Sequence, residues 1–269
     1  MKARPAYVAD QFYPGDAEEL RAMVEGYVNA ADVTPAPENV AAVIVPHAGY
    51  IYSGATAGYG YKRIRGATPA RVVLMGVSHR YHFGGISLYD GDAFNSPLAS
   101  VMVDRAFCDL LATQFPCEEA RPHEYEHTLE TQLAFIQVAL GNVPIAPMLF
   151  GRRAGDEHIA FGAKLAGLLE PGDLVIASTD LSHFLSEKEA NRTDKNTIER
   201  ILAADFDRLI PELRDETCSA CGAAAVVTAL ACANARGAVN RKLLDYRTSA
   251  AVSGDYNRVV GYAAISLEY

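Results

Sequence analysis

No run of apolar residues in this chain of 269 approaches the roughly 20 that a helix needs to cross a bilayer. The opening stretch, MKARPAYVADQFYPG, has no apolar core of the kind a secretory signal carries. Basic residues are in the minority. The 24 Lys and Arg stand against 33 Asp and Glu, a formal net charge of −9, which disfavours non-specific attraction to nucleic acid or an anionic membrane. There is no low-complexity tract and no internal repeat. The linker-like stretch Thr34-Pro35-Ala36-Pro37 is too short to separate domains. Cysteine is scarce, with five residues at irregular spacing. An odd, scattered set argues for reduced thiols and a cytoplasmic protein, not a disulfide framework. What remains is an ordinary globular composition, 50% hydrophobic, at a length near the upper end of one domain. The expectation is one domain over residues 1–269.

Short apolar runs resembling buried strands recur along the chain: VAAVIV (40–45), RVVLMGV (71–77), VPIAPMLF (143–150), DLVIAS (173–178), KLLDY (242–246) and VVGYAAISL (259–267). Helical patterns lie among them at 16–31, 104–115, 129–140, 157–169 and 196–209, and an Ala-rich helix is expected after Cys221. The first opens on Asp16 with Glu19, a capping-box-like start. Unbroken Val/Ile/Leu runs alternating with amphipathic helices predict an α/β fold, a largely parallel or mixed central sheet flanked by helices.

Three of these strands are followed closely by a histidine. VAAVIV leads into Pro46-His47-Ala48-Gly49, RVVLMGV into Ser78-His79, and DLVIAS into Thr179-Asp180-Leu181-Ser182-His183. Ligands of open α/β sheets bind outside the carboxyl ends of the strands. A single histidine there is most simply a turn residue. Three at equivalent strand ends predict one shared crevice. Asp180 and His183 fit an orienter and an acid/base, although Thr179 and Asp180 would also serve as helix caps. Tyr50 and Tyr52, close after His47, are candidates for lining a substrate pocket.

His123-Glu124-Tyr125-Glu126-His127 spells H-E-x-x-H, the pattern of a helical zinc peptidase site. The helical stripe begins only at Leu129, and Pro122 disfavours helix just before it. His123 is therefore expected in an approach loop and His127 at the helix entrance, without the one-turn geometry zinc requires. Cys218-Ser219-Ala220-Cys221 spells C-x-x-C ahead of the Ala-rich helix, but lies far from any first βαβ unit. Cys218 reads as a buried small residue, and Cys108, Cys117 and Cys232 as packing residues.

The stretches VPHAGYIYSG (45–54), GVSH (76–79), EHTLETQLAF (126–135), STDLSH (178–183), CG (221–222) and VSGDYNRVVGYA (252–263) resemble, in order, the signatures of the Memo family. The resemblance implies a fold like that of the class III extradiol dioxygenases. It implies His47, His79 and Cys221 as metal ligands, with His127, Asp180 and His183 as further pocket residues. Iron or copper is the implied metal, in preference to zinc, with oxygen-dependent or other redox chemistry on an unknown small-molecule substrate. Ring-cleaving relatives use a carboxylate where Cys221 stands, so an extradiol-type activity and a non-catalytic metal- or peptide-binding role remain alternatives. Microbial members belong to the AmmeMemoRadiSam group, which implies a radical-SAM protein and an AMMECR-type protein as partners.

Overall fold

A computed structural model describes residues 1–151 and 153–269. The strands are β1 (Ala3–Arg4), β2 (Val40–Val45), β3 (Val72–Val77), β4 (Ile86–Leu88), β5 (Ala93–Asn95), β6 (Ser100–Met102), β7 (Cys117–Glu118), β8 (Ile145–Phe150), β9 (Leu174–Ser178), β10 (His183–Leu185), β11 (Asn240–Thr248) and β12 (Val259–Glu268). The helices are α1 (Ala17–Ala30), α2 (Tyr50–Arg63), α3 (Arg105–Gln114), α4 (Glu130–Leu140), α5 (Asp156–Ala166), α6 (Glu187–Ala203), α7 (Phe206–Arg214), α8 (Ala223–Ala235) and α9 (Ala250–Ser253).

The main sheet runs β10-β12-β2-β9-β3-β8-β4-β7, with β11 also on β12. Its centre, β2-β9-β3-β8, is parallel. Antiparallel pairings flank that centre, β12 on β2 and β4 on β8. The sheet is therefore mixed. Every residue of β2 and β8 is buried, so their Val/Ile/Leu/Phe runs have no solvent face, as expected of strands covered on both sides. Helix α2 packs on β2 and β12 with α1 and α4 against it, while α8 packs on β9, β2 and β3 with α5 against it. One hydrophobic cluster runs from Tyr13 to Leu267 and takes in all four central strands. A small sheet, β1-β5-β6, holds the N-terminal segment. No helix among the described residues is long and apolar enough to cross a membrane.

Two of the differences from the sequence expectation have a clear local cause. Residues 50–63 form a helix that the pattern did not mark, because YIYSGATAGYGYKR carries glycines at 54, 58 and 60, which weaken helix propensity. The cost is compensated by packing: a Cβ at Gly54 would lie 2.4 Å from the Tyr27 ring of α1. The single helix expected at 196–209 is two. Ala204 adopts a left-handed conformation (φ 48°) that ends α6, and the Asp205 side chain accepts from the Arg208 N–H to start α7.

Candidate metal centre

The parallel order places β9 between β2 and β3, so their carboxyl ends adjoin. His47 follows β2 by two residues, His79 follows β3 by two, and β9 ends on Ser178. Cys221 arrives from the other direction, just before α8. Its backbone N–H donates to the Asp180 carbonyl at 3.1 Å, and the Gly222 N–H donates to Thr179 Oγ1 at 2.8 Å. A Cβ on residue 222 would sit 2.4 Å from the Ser178 carbonyl oxygen, so only glycine lets this turn press on the end of β9. One ligand atom each from His47, His79 and Cys221 then lie within 4.8 Å of one another. Cys221 Sγ is 3.2 Å from His47 Nε2. Cys218 faces elsewhere: it is buried, its thiol donates to Glu212, and burial pushes its pKa up to about 12. The C-x-x-C spelling does not form a pair of ligands.

The hydrogen bonds fix which histidine nitrogen is bare. Ser178 Oγ donates its one proton to the Thr128 carbonyl at 2.7 Å. It accepts from Gln132 Nε2 at 2.9 Å, so its 3.0 Å contact to His47 must be accepted from Nδ1–H. Nε2 of His47 is thus unprotonated where it meets Cys221. Burial lowers the His47 pKa to about 4 and keeps the ring neutral, with Asp180 opposing the shift. A neutral imidazole with its distal N–H anchored is the form that ligates a metal. Burial likewise pushes the Cys221 thiol up to about 12, and Asp180 adds to this, so a metal would have to displace its proton.

Glu126 does for two histidines what Ser178 does for one. Its Oε1 is 3.1 Å from Nδ1 of both His79 and His127, and accepts the His127 backbone N–H at 2.9 Å. Its Oε2 accepts the His79 backbone N–H at 2.6 Å. Burial opposes ionisation here, but the bonds from His127 and His79 prevail and hold the carboxyl well below the usual carboxylate range. His79, Glu126 and His127 also satisfy the distances of a metal-holding group. Both imidazoles turn their Nδ1 atoms to the carboxylate at hydrogen-bond distance, and backbone N–H groups occupy its oxygens. In this arrangement Glu126 orients the His79 and His127 rings. The three imidazoles meet ring to ring, with His79 on His127 at 4.9 Å and His47 on His127 at 5.4 Å.

The H-E-x-x-H spelling falls apart in space. His123 closes a 3-10 turn (Arg121–His123), while α4 starts only at Glu130. The His123 ring is buried, donates Nε2–H to the Ser87 carbonyl at 2.9 Å and packs against Tyr89 and Phe94.

Asp180 is buried against His47. Its Oδ1 accepts the His47 backbone N–H at 2.8 Å, and its Oδ2 is 4.0 Å from His47 Nε2. His183 is set apart from the imidazole cluster. It belongs to β10, its Nδ1 donates to the Leu181 carbonyl at 2.9 Å, and its ring packs on Phe184. It lines a cavity of about 350 Å³ that Cys221 also lines. The third imidazole of the crevice is therefore His127. Tyr50 is corrected from pocket to core: only 2% exposed, it donates its hydroxyl to the Thr131 carbonyl and packs on Phe135. Tyr52 is exposed. Two residues along a helix are about 200° apart, so only one of the pair can face outward.

Sequence reasoning passed over Glu126, Ser178 and Gln132. Their signal was present, since Glu126 and Gln132 lie within EHTLETQ and Ser178 ends β9. It also passed over Arg4. The Arg4 guanidinium donates to the carbonyls of His123 (2.5 Å) and Glu126 (2.6 Å) and to Glu130 Oε2 (2.5 Å). Glu130 Oε1 accepts from Tyr13 Oη at 2.6 Å and the Val8 N–H at 2.8 Å. The N-terminal segment is thereby pinned to the loop that carries Glu126 and His127.

A mixed α/β sheet with two imidazoles and a thiol gathered at the carboxyl ends of its parallel strands defines a protein with a candidate metal centre. The chain belongs to the Memo family: the family model for Memo-like proteins matches residues 4–266. It is 34% identical to a MEMO1 family protein of Methanopyrus kandleri, over 98% of each chain. It is 33% identical to one from Aquifex aeolicus, covering 97% of this chain and 98% of that one. Identity to one from Methanosarcina acetivorans is 32% over 100% of both. Among solved structures, that of an uncharacterized protein of Escherichia coli K12 matches 82% of this chain and 98% of its own, at 15% identity and a TM-score of 0.44.

Proposed function

We propose that this Memo-family protein binds iron or copper through His47, His79 and Cys221, and carries out oxygen-dependent or other redox chemistry on a small molecule. The observation that carries the reading is the approach of those three ligand atoms to within 4.8 Å, with the distal nitrogens of both histidines already anchored. Two borderline nitrogens and one soft sulfur suit a first-row transition metal and not magnesium or calcium. When bound, such a metal supplies open coordination positions and a centre for electron exchange.

The chain's own residues do the rest. Ser178, held by Gln132 and Thr128, fixes the His47 tautomer, and Glu126 fixes those of His79 and His127. His127, partly exposed beside His79, presents Nε2 as an acceptor for a substrate proton. Asp180 holds negative charge beside His47. His183, with Nδ1 tied to Leu181, has Nε2 as its remaining proton-accepting nitrogen.

The test is metal analysis and electron paramagnetic resonance on anaerobically purified protein and on His47→Ala, His79→Ala and Cys221→Ala. Each substitution should strip most of the iron or copper that the parent retains. Full metal content in all three would sink the assignment. Oxygen uptake with candidate substrates then separates an enzyme from a carrier.

A further inference from the structure

A cavity of about 350 Å³ is lined in part by Cys221. The chain carries a net charge of −9, yet this cavity is lined by Arg153, Arg214 and His183 against one carboxylate, Glu216. Nearby Arg200 is neutralised by Glu212 at 2.9 Å. Arg153 and Arg214 have no such ion pair among the described residues, and both are exposed at the cavity's edge. Leu185, Leu213 and Ala220 add apolar surface to the same lining. Cys221 and Ala223, at the start of α8, also line it.

We infer that this cavity binds a small organic carboxylate, with its charged end at Arg153 and Arg214 and its apolar body against Leu185 and Leu213. A guanidinium takes a carboxylate by two parallel N–H bonds, and the cavity is lined by two guanidiniums that are not ion-paired among the described residues, against the single carboxylate of Glu216. The apolar wall would have little to contribute to a bare inorganic anion. His183 adds direction. Its Nδ1–H is given to the Leu181 carbonyl at 2.9 Å, so in the neutral ring only Nε2 is free, and it accepts. The ligand that matches all three features has a carboxylate at one end, an apolar middle and a hydroxyl or N–H for His183. Because Cys221 lines the same space, such a ligand would lie against the thiolate side of the metal centre. Naming it a substrate rests on the proposed function; its binding does not.

The experiment separates the two by using chelator-treated protein. Fluorine NMR titrations compare 4-fluorobenzoate with its neutral isostere 4-fluorobenzamide, and competition with inorganic phosphate is run alongside. The carboxylate should bind at least about tenfold more tightly than the amide, because charge-assisted hydrogen bonds carry the difference. Arg153→Ala and Arg214→Ala should each weaken the carboxylate by about tenfold and leave the amide unchanged, and Arg214→Glu should abolish the preference. Phosphate should displace the probe only weakly. Equal binding of carboxylate and amide, no binding of either, or indifference to both arginine substitutions would overturn the inference. Phosphate competing as strongly as the carboxylate would also overturn it, since the apolar wall would then play no part. Repeating the titration on metal-loaded protein asks the separate question. A change in the metal's resonance spectrum on adding the carboxylate ties the cavity to the centre, and loss of metal binding alone leaves the anion result standing.

Discussion

Glu126 is the residue on which two imidazoles depend. It accepts from Nδ1 of His79 and His127 and from both their backbone N–H groups. Glu126→Gln turns one acceptor oxygen into an N–H₂ facing N–H donors, and it should cost roughly 10–100-fold in metal affinity. Competitive chelator titration measures this, and an unchanged affinity would remove Glu126 from the centre. His123, its neighbour in the H-E-x-x-H spelling, should behave otherwise. His123→Ala leaves a cavity and an unpaired Ser87 carbonyl, and should destabilise the fold by about 2–4 kcal/mol with metal stoichiometry unchanged. Burial also sets the sign of its pH response. Desolvation lowers its pKa to about 4 from the ordinary histidine value of 6.5. Between those values the unfolded chain binds the extra proton, so stability falls as pH drops from 6.5 towards 4. At pH 5 the loss from this ring is about 2 kcal/mol. In chelator-treated His123→Phe, the stability difference between pH 7 and pH 5 in urea should shrink by that amount; His47, also buried and neutral, accounts for part of what remains. These roles were only half legible in the letters. His47 and His79 announced themselves by following strands. Glu126 fell on an unassigned position of the H-E-x-x-H spelling, whose general base would be Glu124, and Tyr50 looked like a pocket residue because α2 was not foreseen.

At the scale of elements, the clamp between the N-terminal segment and the loop before α4 has a measurable strength. Arg4 and Glu130 are 2% and 0% exposed, so removing one leaves the other charged and buried. Arg4→Met should cost about 3–5 kcal/mol, whereas Arg4→Met with Glu130→Met should cost clearly less than the two singles added. Denaturant titration of the four proteins closes the cycle, and strict additivity would show that the pair does not act as a unit. Apolar runs disclosed β2, β3, β8 and β9, because strands buried on both faces have no polar alternation to confuse. They did not disclose α2, whose glycines are explained only by the approach of Tyr27, nor the break at Ala204. Helix propensity is local, and both features answer to contacts or backbone turns that a periodicity cannot register.

Across the whole molecule, the α/β class could be read from the alternation of strand and helix patterns. The order β2-β9-β3-β8 could not, since nothing in VAAVIV or DLVIAS says which run lies beside which. That order brings Ser178 between His47 and His79, so a shared crevice could be expected from the sequence but the side chains that orient its rings could not. It also has a consequence for how the protein comes into being. His47 and Cys221 are 174 positions apart, and the Glu126 that orients His79 comes 47 residues after it. A chain emerging from its N-terminus offers two imidazoles long before it offers the thiol, and the contacts that unite them are among the last to close. A metal held by His47, His79 and Cys221 would therefore be a latecomer to folding, meeting its full ligand set only in the finished sheet. It should then slow unfolding by its binding free energy while leaving the refolding rate of the chelator-treated chain unchanged. Stopped-flow kinetics with and without metal tests this. Refolding accelerated by metal would mean that the ligands meet early, before the strands around them have paired.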